Sequence, residues 1–189
     1  IYIQDAPDPT INVVWTDERT AIKEVYYTRL DHNQNKMISD MPVSLIDNAP
    51  SHNPVITTLP SGSSYIVWVD EKDGNKEVYI AEVSDAGVVS NRIPISAVDG
   101  LISESPQIDS DDDGALYIIW LDDIPTNEKI CYEKLDVTDL SHPIIDNKVL
   151  QNIYALPGAI KIDSEKNLHI TCGSNIGSGA VYYMKTDNA

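Results

Sequence analysis

Three stretches of the chain repeat one pattern. An apolar run ends in Trp-x-Asp, a short polar loop follows, and a second run rich in Tyr and β-branched residues comes next. They read TINVVWTDERTAIKEVYYTRL from Thr10, SYIVWVDEKDGNKEVYIAEV from Ser64 and ALYIIWLDDIPTNEKICYEKL from Ala115. A worn fourth copy, NLHITCGSNIGSGAVYYM, starts at Asn167. The markers Trp15, Trp68, Trp120 and Cys172 are 53, 52 and 52 residues apart. Self-similarity at such a period demands an array of like units, each too small to bury its own apolar faces.

Within each unit the pattern alternates with a period of two, and both faces are apolar. Tyr65, Val67 and Val69 point one way, Ile66 and Trp68 the other. That describes a strand covered on both sides. Short β-branched and aromatic runs recur with turn residues between them, and no stretch has convincing helical periodicity. The sequence therefore predicts an all-β fold, a β-propeller of four repeats of about 52 residues with four strands each. The repeats are bounded at 1–52, 53–104, 105–156 and 157–189, and the last blade is incomplete. The chain is a single propeller domain or a propeller fragment, either a closed four-bladed ring or an arc of a larger one. In the second unit the expected strands are Val55–Thr58, the Trp strand, Glu77–Val83 and Arg92–Ala97. In the first unit the fourth is expected at Met41–Ile46.

The composition excludes some partners. Acidic residues outnumber basic ones by 30 to 13, a formal net charge of −17 in 189 residues. Such a field repels nucleic acid and anionic membranes and attracts cations. No run approaches the apolar length of a membrane span. Cys131 and Cys172 form neither a zinc pattern nor a disulfide framework. Two buried apolar thiols and one bridge between neighbouring units both remain open.

Two sets of acids are candidate sites. The Trp-x-Asp residues Asp17, Asp70 and Asp122 are each followed by a second acid, Glu18, Glu71 and Asp123. Equivalent positions in successive blades share one rim, so these six carboxylates could ring a face and bind ligand. They could equally close the loop after each strand by accepting backbone N–H bonds. The other set is Asp109-Ser-Asp-Asp-Asp-Gly114, which matches the first half of a calcium loop with Asp109, Asp111 and Asp113 as oxygen ligands. The position for the closing bidentate Glu is held by Trp120. Calcium is the one cofactor this motif suggests, against a solvated hairpin.

The repeat resembles the sialidase-like, or bacterial neuraminidase repeat-type, propeller family. The shared pattern is a Pro-led strand, a strand with Trp-x-Asp and a Tyr-bearing strand. It appears as Pro54-Val-Ile, Ile66-Val-Trp-Val-Asp70 and Glu77-Val-Tyr-Ile80, and again from Pro106 to Tyr132. The resemblance implies a propeller of glycan-related ancestry. It does not extend to that family's active site, which needs three converging arginines, because Arg19, Arg29 and Arg92 occupy three different places in the repeat. Only Asp85-Ala-Gly87 echoes the family's Asp box.

Three functional expectations follow. The first is a non-catalytic recognition or surface-structural module, extracellular or at the cell surface, binding protein or glycan. The second is a carbohydrate-active, sialidase-like enzyme. The third is a self-assembling subunit, since the unsealed last blade invites either a second copy or the remainder of a longer chain.

Overall fold

A computed structural model describes residues 2–3, 9–124, 129–151, 155–174 and 179–186. It contains no helix among them. Fifteen strands form four small antiparallel sheets, each in sequence order. Sheet one is β1 (Tyr2–Ile3), β2 (Ile11–Asp17), β3 (Glu24–Leu30) and β4 (Lys36–Pro42). Sheet two is β5 (Ser51–Thr58), β6 (Ser64–Asp70), β7 (Glu77–Val83) and β8 (Val89–Pro94). Sheet three is β9 (Ile102–Ser110), β10 (Ala115–Ile124), β11 (Lys129–Asp136) and β12 (Ile145–Gln151). Sheet four is β13 (Ala155–Ile162), β14 (Leu168–Ser174) and β15 (Val181–Thr186). The glycine-rich stretch Gly173-Ser-Asn-Ile-Gly-Ser-Gly179 falls largely outside the described residues.

The register makes the markers equivalent in space. Trp15 pairs with Tyr26, Trp68 with Tyr79, Trp120 with Cys131 and Cys172 with Tyr182. The first strands β5, β9 and β13 pack successively on one another, so the sheets follow each other around a common inner line. This is a β-propeller-like arrangement.

The apolar residues collect in three clusters, one per junction between neighbouring sheets. Val25 and Tyr27 of sheet one meet Ile66 and Trp68 of sheet two. Val67 and Ile80 of sheet two meet Ile118 and Trp120 of sheet three. Ile119 and Tyr132 of sheet three meet Ile170 and Cys172 of sheet four. The second and third strands of sheets two and three thus divide their alternating side chains between two junctions, and that is why both of their faces had to be apolar. Trp68 and Trp120 are 1% and 0% exposed. Removing either ring would cost about 3–5 kcal/mol in lost burial and cavity. Cys131 and Cys172 are both free and buried. They lie in different junctions, which resolves the open choice in favour of two apolar thiols.

Strand limits differ from expectation at both sheet edges. In sheet one the fourth strand begins at Lys36 rather than Met41. The reason is a tight turn after β3: Asp31 Oδ1 accepts the N–H groups of Asn33 and Asn35, both at 2.8 Å, so the chain reverses at once. In sheet two the first strand begins at Ser51 rather than Val55. A register change between His52 and Val55 accommodates Pro54, which has no N–H to give the ladder.

Candidate active site

One rim of the molecule is built from the end of each second strand, the start of each third strand and the incoming first strand of the next sheet. The Trp-x-Asp residues lie here. Residues two apart share a strand face, so the indole can reach the carboxylate of its own motif. Trp15 Nε1 donates to Asp17 Oδ2 and Trp68 Nε1 to Asp70 Oδ2, both at 2.9 Å. The other oxygen closes the loop, accepting the N–H of Arg19 at 2.8 Å or of Lys72 at 3.0 Å. Asp70 is buried and also accepts from the Ser51 hydroxyl at 3.1 Å. Asp17 is more open; the Arg19 guanidinium at 2.6 Å, with the Trp15 indole, holds its carboxyl well below the usual range.

The third unit varies the scheme. Buried Asp122 accepts from Ser103 and lies 3.6 Å from the Lys129 ammonium, while Trp120 Nε1 has no hydrogen-bond partner. Lys129 stands opposite Asp122 where Glu24 and Glu77 stand opposite Asp17 and Asp70. The side chain of Asp123 lies outside the described residues.

The acids that follow the motif behave differently. Glu18 and Glu71 both line a cleft of about 680 Å³ between sheets one and two. The cleft also takes in Ile22, Lys23, His52, Asn53 and Lys76. Glu71 Oε1 is 3.2 Å from His52 Nε2, Glu18 is 3.8 Å from the Lys23 ammonium, and Lys76 is 2.9 Å from Glu104. The cleft therefore carries two carboxylates and two Lys ammonium groups. The β5 bulge aims His52 and Asn53 into it. Asn53 has φ 53°, and Ser105, at the matching place in β9, has φ 57°. Non-glycine residues in this region carry about 1–3 kcal/mol of backbone strain and concentrate at functional sites.

Next in sequence to Lys23 of the cleft wall comes a fully buried acid, Glu24. It accepts from Ser44 Oγ at 2.7 Å through one oxygen, while Oε1 has no hydrogen-bond partner. Glu77 repeats the arrangement one sheet on, with Ser96 at 2.6 Å and Asn75 at 2.9 Å. Burial pushes both carboxyls up.

The Asp-rich loop lies on the opposite rim. Asp109 ties sheet three to sheet four, accepting Lys161 Nζ and the N–H of Ile162, each at 2.8 Å. Asp111 Oδ1 accepts the N–H groups of Asp113 and Ala115, at 3.1 and 2.9 Å, and Oδ2 accepts the Tyr117 hydroxyl at 2.9 Å. The Lys166 ammonium bridges Asp111 and Asp113. Among the described residues, no group of three or more His, Cys, Asp or Glu side chains is placed to hold a metal ion.

The three arginines lie apart. Arg19 sits over the Tyr26 ring at 4.4 Å. Arg29 is buried between sheets one and two, and Arg92 donates to the Val43 carbonyl.

The sequence singled out Glu18 and Glu71, which line this cleft, but not His52, Lys23 or Lys76, which line it too. A signal existed for His52. Ser51-His-Asn-Pro54 and Ser103-Glu-Ser-Pro106 match at a spacing of 52, and both mark a bulged inner strand.

No family model matches the chain, and no curated protein matches it. Solved structures do. A protein of unknown function from Dyadobacter fermentans aligns at a TM-score of 0.62 and 14% identity, over 97% of this chain and 51% of that one. An α-L-arabinofuranosidase from Clostridium thermocellum aligns at 0.60 and 15% identity, over 98% and 67%. A β-1,2-mannobiose phosphorylase from Listeria innocua aligns at 0.56 and 10% identity, over 98% and 57%. The chain thus spans between half and two thirds of these proteins' lengths.

These likenesses establish the fold. They also correct two expectations. The propellers matched are of the glycoside hydrolase and phosphorylase kinds, related to sialidase-like repeats but distinct from them. The reading as a non-catalytic recognition or surface-structural module gives way, because the named activities among the matching structures are carbohydrate-active enzymes. The absence of a sialidase arginine set had argued only against one such chemistry.

Proposed function

We propose that this chain is an arc of a larger propeller and part of a carbohydrate-active enzyme that cleaves glycosidic bonds at the cleft between sheets one and two. The observation that carries this reading is the pairing of Glu71 with His52 inside that cleft, with Glu18 on its wall. Hydrolysis of a glycosidic bond needs two carboxyl groups flanking the scissile oxygen, one to give a proton and one to assist attack. Glu71 takes the proton-donating role here, since it is partly sheltered and its orientation is held by the imidazole. Glu18 is the second carboxylate. Lys23 and Lys76 supply positive charge that would suit phosphate as the attacking group, so phosphorolysis is the second form of the same reading. Named activities among solved structures sharing this fold support the reaction class.

The test is release of a chromophore from aryl arabinofuranosides and mannosides, with and without inorganic phosphate. Glu71→Gln should lower kcat about 10²–10⁴-fold, as loss of a general acid does. Activity unchanged in both Glu71→Gln and Glu18→Gln would remove the cleft from consideration.

A further inference from the structure

The loops between the second and third strands of sheets one and two are built alike. Asp17-Glu-Arg-Thr-Ala-Ile-Lys-Glu24 matches Asp70-Glu-Lys-Asp-Gly-Asn-Lys-Glu77. Both turn on a residue of positive φ, Ala21 at 73° and Gly74 at 95°. Its N–H donates to the carbonyl of Glu18 at 2.9 Å or of Glu71 at 3.1 Å. Both loops end at a fully buried Glu whose Oε2 accepts from a serine, Ser44 or Ser96. They part at Ile22 and Asn75. Asn75 Nδ2 donates to Glu77 Oε1 at 2.9 Å and also to the Leu101 carbonyl, which stitches its loop to the chain entering β9. Ile22 has no polar atom for either task. Glu24 Oε1 has no hydrogen-bond partner, although the nearby Asp47 N–H favours the charged form of the carboxyl. Ile22 lines the cleft instead, with Ala21 and Pro50 as its apolar companions.

We infer, resting on the reading of this cleft as a glycoside site, that the bound sugar supplies the donor that Asn75 supplies in the next sheet. One sugar hydroxyl donates to Glu24 Oε1 while the C–H face of the ring lies on Ala21 and Ile22. Ile22 stands at the place from which Asn75 reaches Glu77, so its side chain separates Glu24 Oε1 from the cleft, and a rotation about χ1 joins the two. The partner must donate, because Oε1 is an acceptor and Ser44 already serves Oε2. A buried acceptor without a partner is costly, so a sugar that pairs it is preferred over an analogue lacking that hydroxyl. Burial, the largest influence on Glu24, favours its protonated form. The carbonyl oxygen of a carboxylic acid accepts from a neutral hydroxyl without bringing a charge into the junction. An ammonium group there would face the like charge of Lys23, which lines the same cleft.

Calorimetric titration of the chain with arabinose and with mannose tests this without any bond being cleaved. The parent should bind at least one of them. Ile22→Asn copies the loop of sheet two, and its amide should take Glu24 Oε1 as Asn75 takes Glu77 Oε1. Binding should weaken about tenfold, the worth of one hydrogen bond. Glu24→Leu removes the acceptor itself and should weaken binding as much; it also repeats the test where circular dichroism shows a folding defect in Ile22→Asn. The double variant should bind no more weakly than either single one, because both act on one hydrogen bond. Asn75→Ile, outside the cleft, should leave binding unchanged. If the cleft cleaves glycosides, Ile22→Asn should raise KM more than it lowers kcat. Binding of neither sugar, parental affinity in Ile22→Asn or Glu24→Leu, or additive losses in the double variant would overturn the inference. Sugar binding that Ile22→Asn weakens, in a protein with no hydrolytic or phosphorolytic activity, would remove the catalytic reading alone.

Discussion

The Trp68 indole donates to Asp70 two residues along its own strand, at 2.9 Å, and the same carboxylate receives the Ser51 hydroxyl and the Lys72 N–H. One side chain thereby fixes a core ring, the loop after its strand and the incoming strand of its own sheet. Asp70→Ala would leave buried donors unpaired, and each costs about 1–3 kcal/mol. Urea unfolding should show a loss of about 3–5 kcal/mol for Asp70→Ala and a clearly smaller loss for Asp17→Ala, whose site is more open to water. Trp68→Phe should cost more than Trp120→Phe, because only Trp68 has an acceptor to abandon.

Arg29 clamps sheet one to sheet two. Its Nε donates to Asn12 Oδ1 at 2.9 Å, NH1 lies 2.6 Å from Asp85, and NH2 reaches the Gly62 carbonyl. Its side chain is 4% exposed, that of Asp85 74%. The exposed partner should matter little: Asp85→Ala is expected to cost less than about 1 kcal/mol. Arg29→Ala should cost about 3–5 kcal/mol, since it strips partners from buried groups. Arg29→Lys should not restore stability, because an ammonium cannot span three acceptors as the guanidinium fork does. Thermal unfolding of the three variants checks the order.

Stability should depend on pH through Glu24 and Glu77. Burial raises both carboxyls in the folded state. A raised folded value means the native state holds its proton more tightly than the unfolded chain. That contribution is fully present below the unfolded value near 4.5 and is lost as pH rises through the folded value. Glu77→Gln should therefore flatten the decline in stability above pH 4.5 and raise stability at neutral pH relative to the parent. Asp17 and Asp163, held low by Arg19 and by His169 respectively, act oppositely and lose their contribution as pH falls through their lowered values. Chemical denaturation at a series of pH values separates the two trends.

The two thiols should be silent in the native protein. Cys131 and Cys172 are buried in separate junctions, and burial pushes the Cys172 thiol up, which lowers its reactivity further. Ellman's reagent should register two thiols only in denaturant, and reducing agent should leave the melting temperature unchanged.

Much of this architecture was legible because it is written in a repeat. The spacing of Trp15, Trp68 and Trp120 gave the units, and the doubly apolar strands gave their stacking. The strand edges were less legible. The turn at Asp31–Asn35 depends on one side chain that accepts two N–H groups, and the bulge at His52–Pro54 on one missing N–H, neither of which hydrophobic alternation encodes. The candidate site was legible only in part. Glu18 and Glu71 stood out through repetition, but His52 reaches the cleft from the bulged β5 and Lys23 and Lys76 from the loops before β3 and β7, and only the packing of sheet one on sheet two brings them together. The non-catalytic reading leaned on the missing sialidase arginine set, whereas the activities named for the matched structures are those of carbohydrate-active enzymes of other kinds.

The three junctions also govern how the molecule comes apart. A protein whose core is divided among nearest-neighbour interfaces gains its cooperativity one interface at a time, like a short linear array. Among the described residues, sheets two and three have a neighbour on each side, and sheets one and four have one each. Amide exchange should therefore be slowest in β6 and β10 and fastest in β15. The cleft straddles the first interface, so the earliest opening from that end dismantles it while sheets two and three stay folded. Any molecule bound there would act as a staple on the first sheet, and its occupancy could be read from exchange rates in β2 and β3.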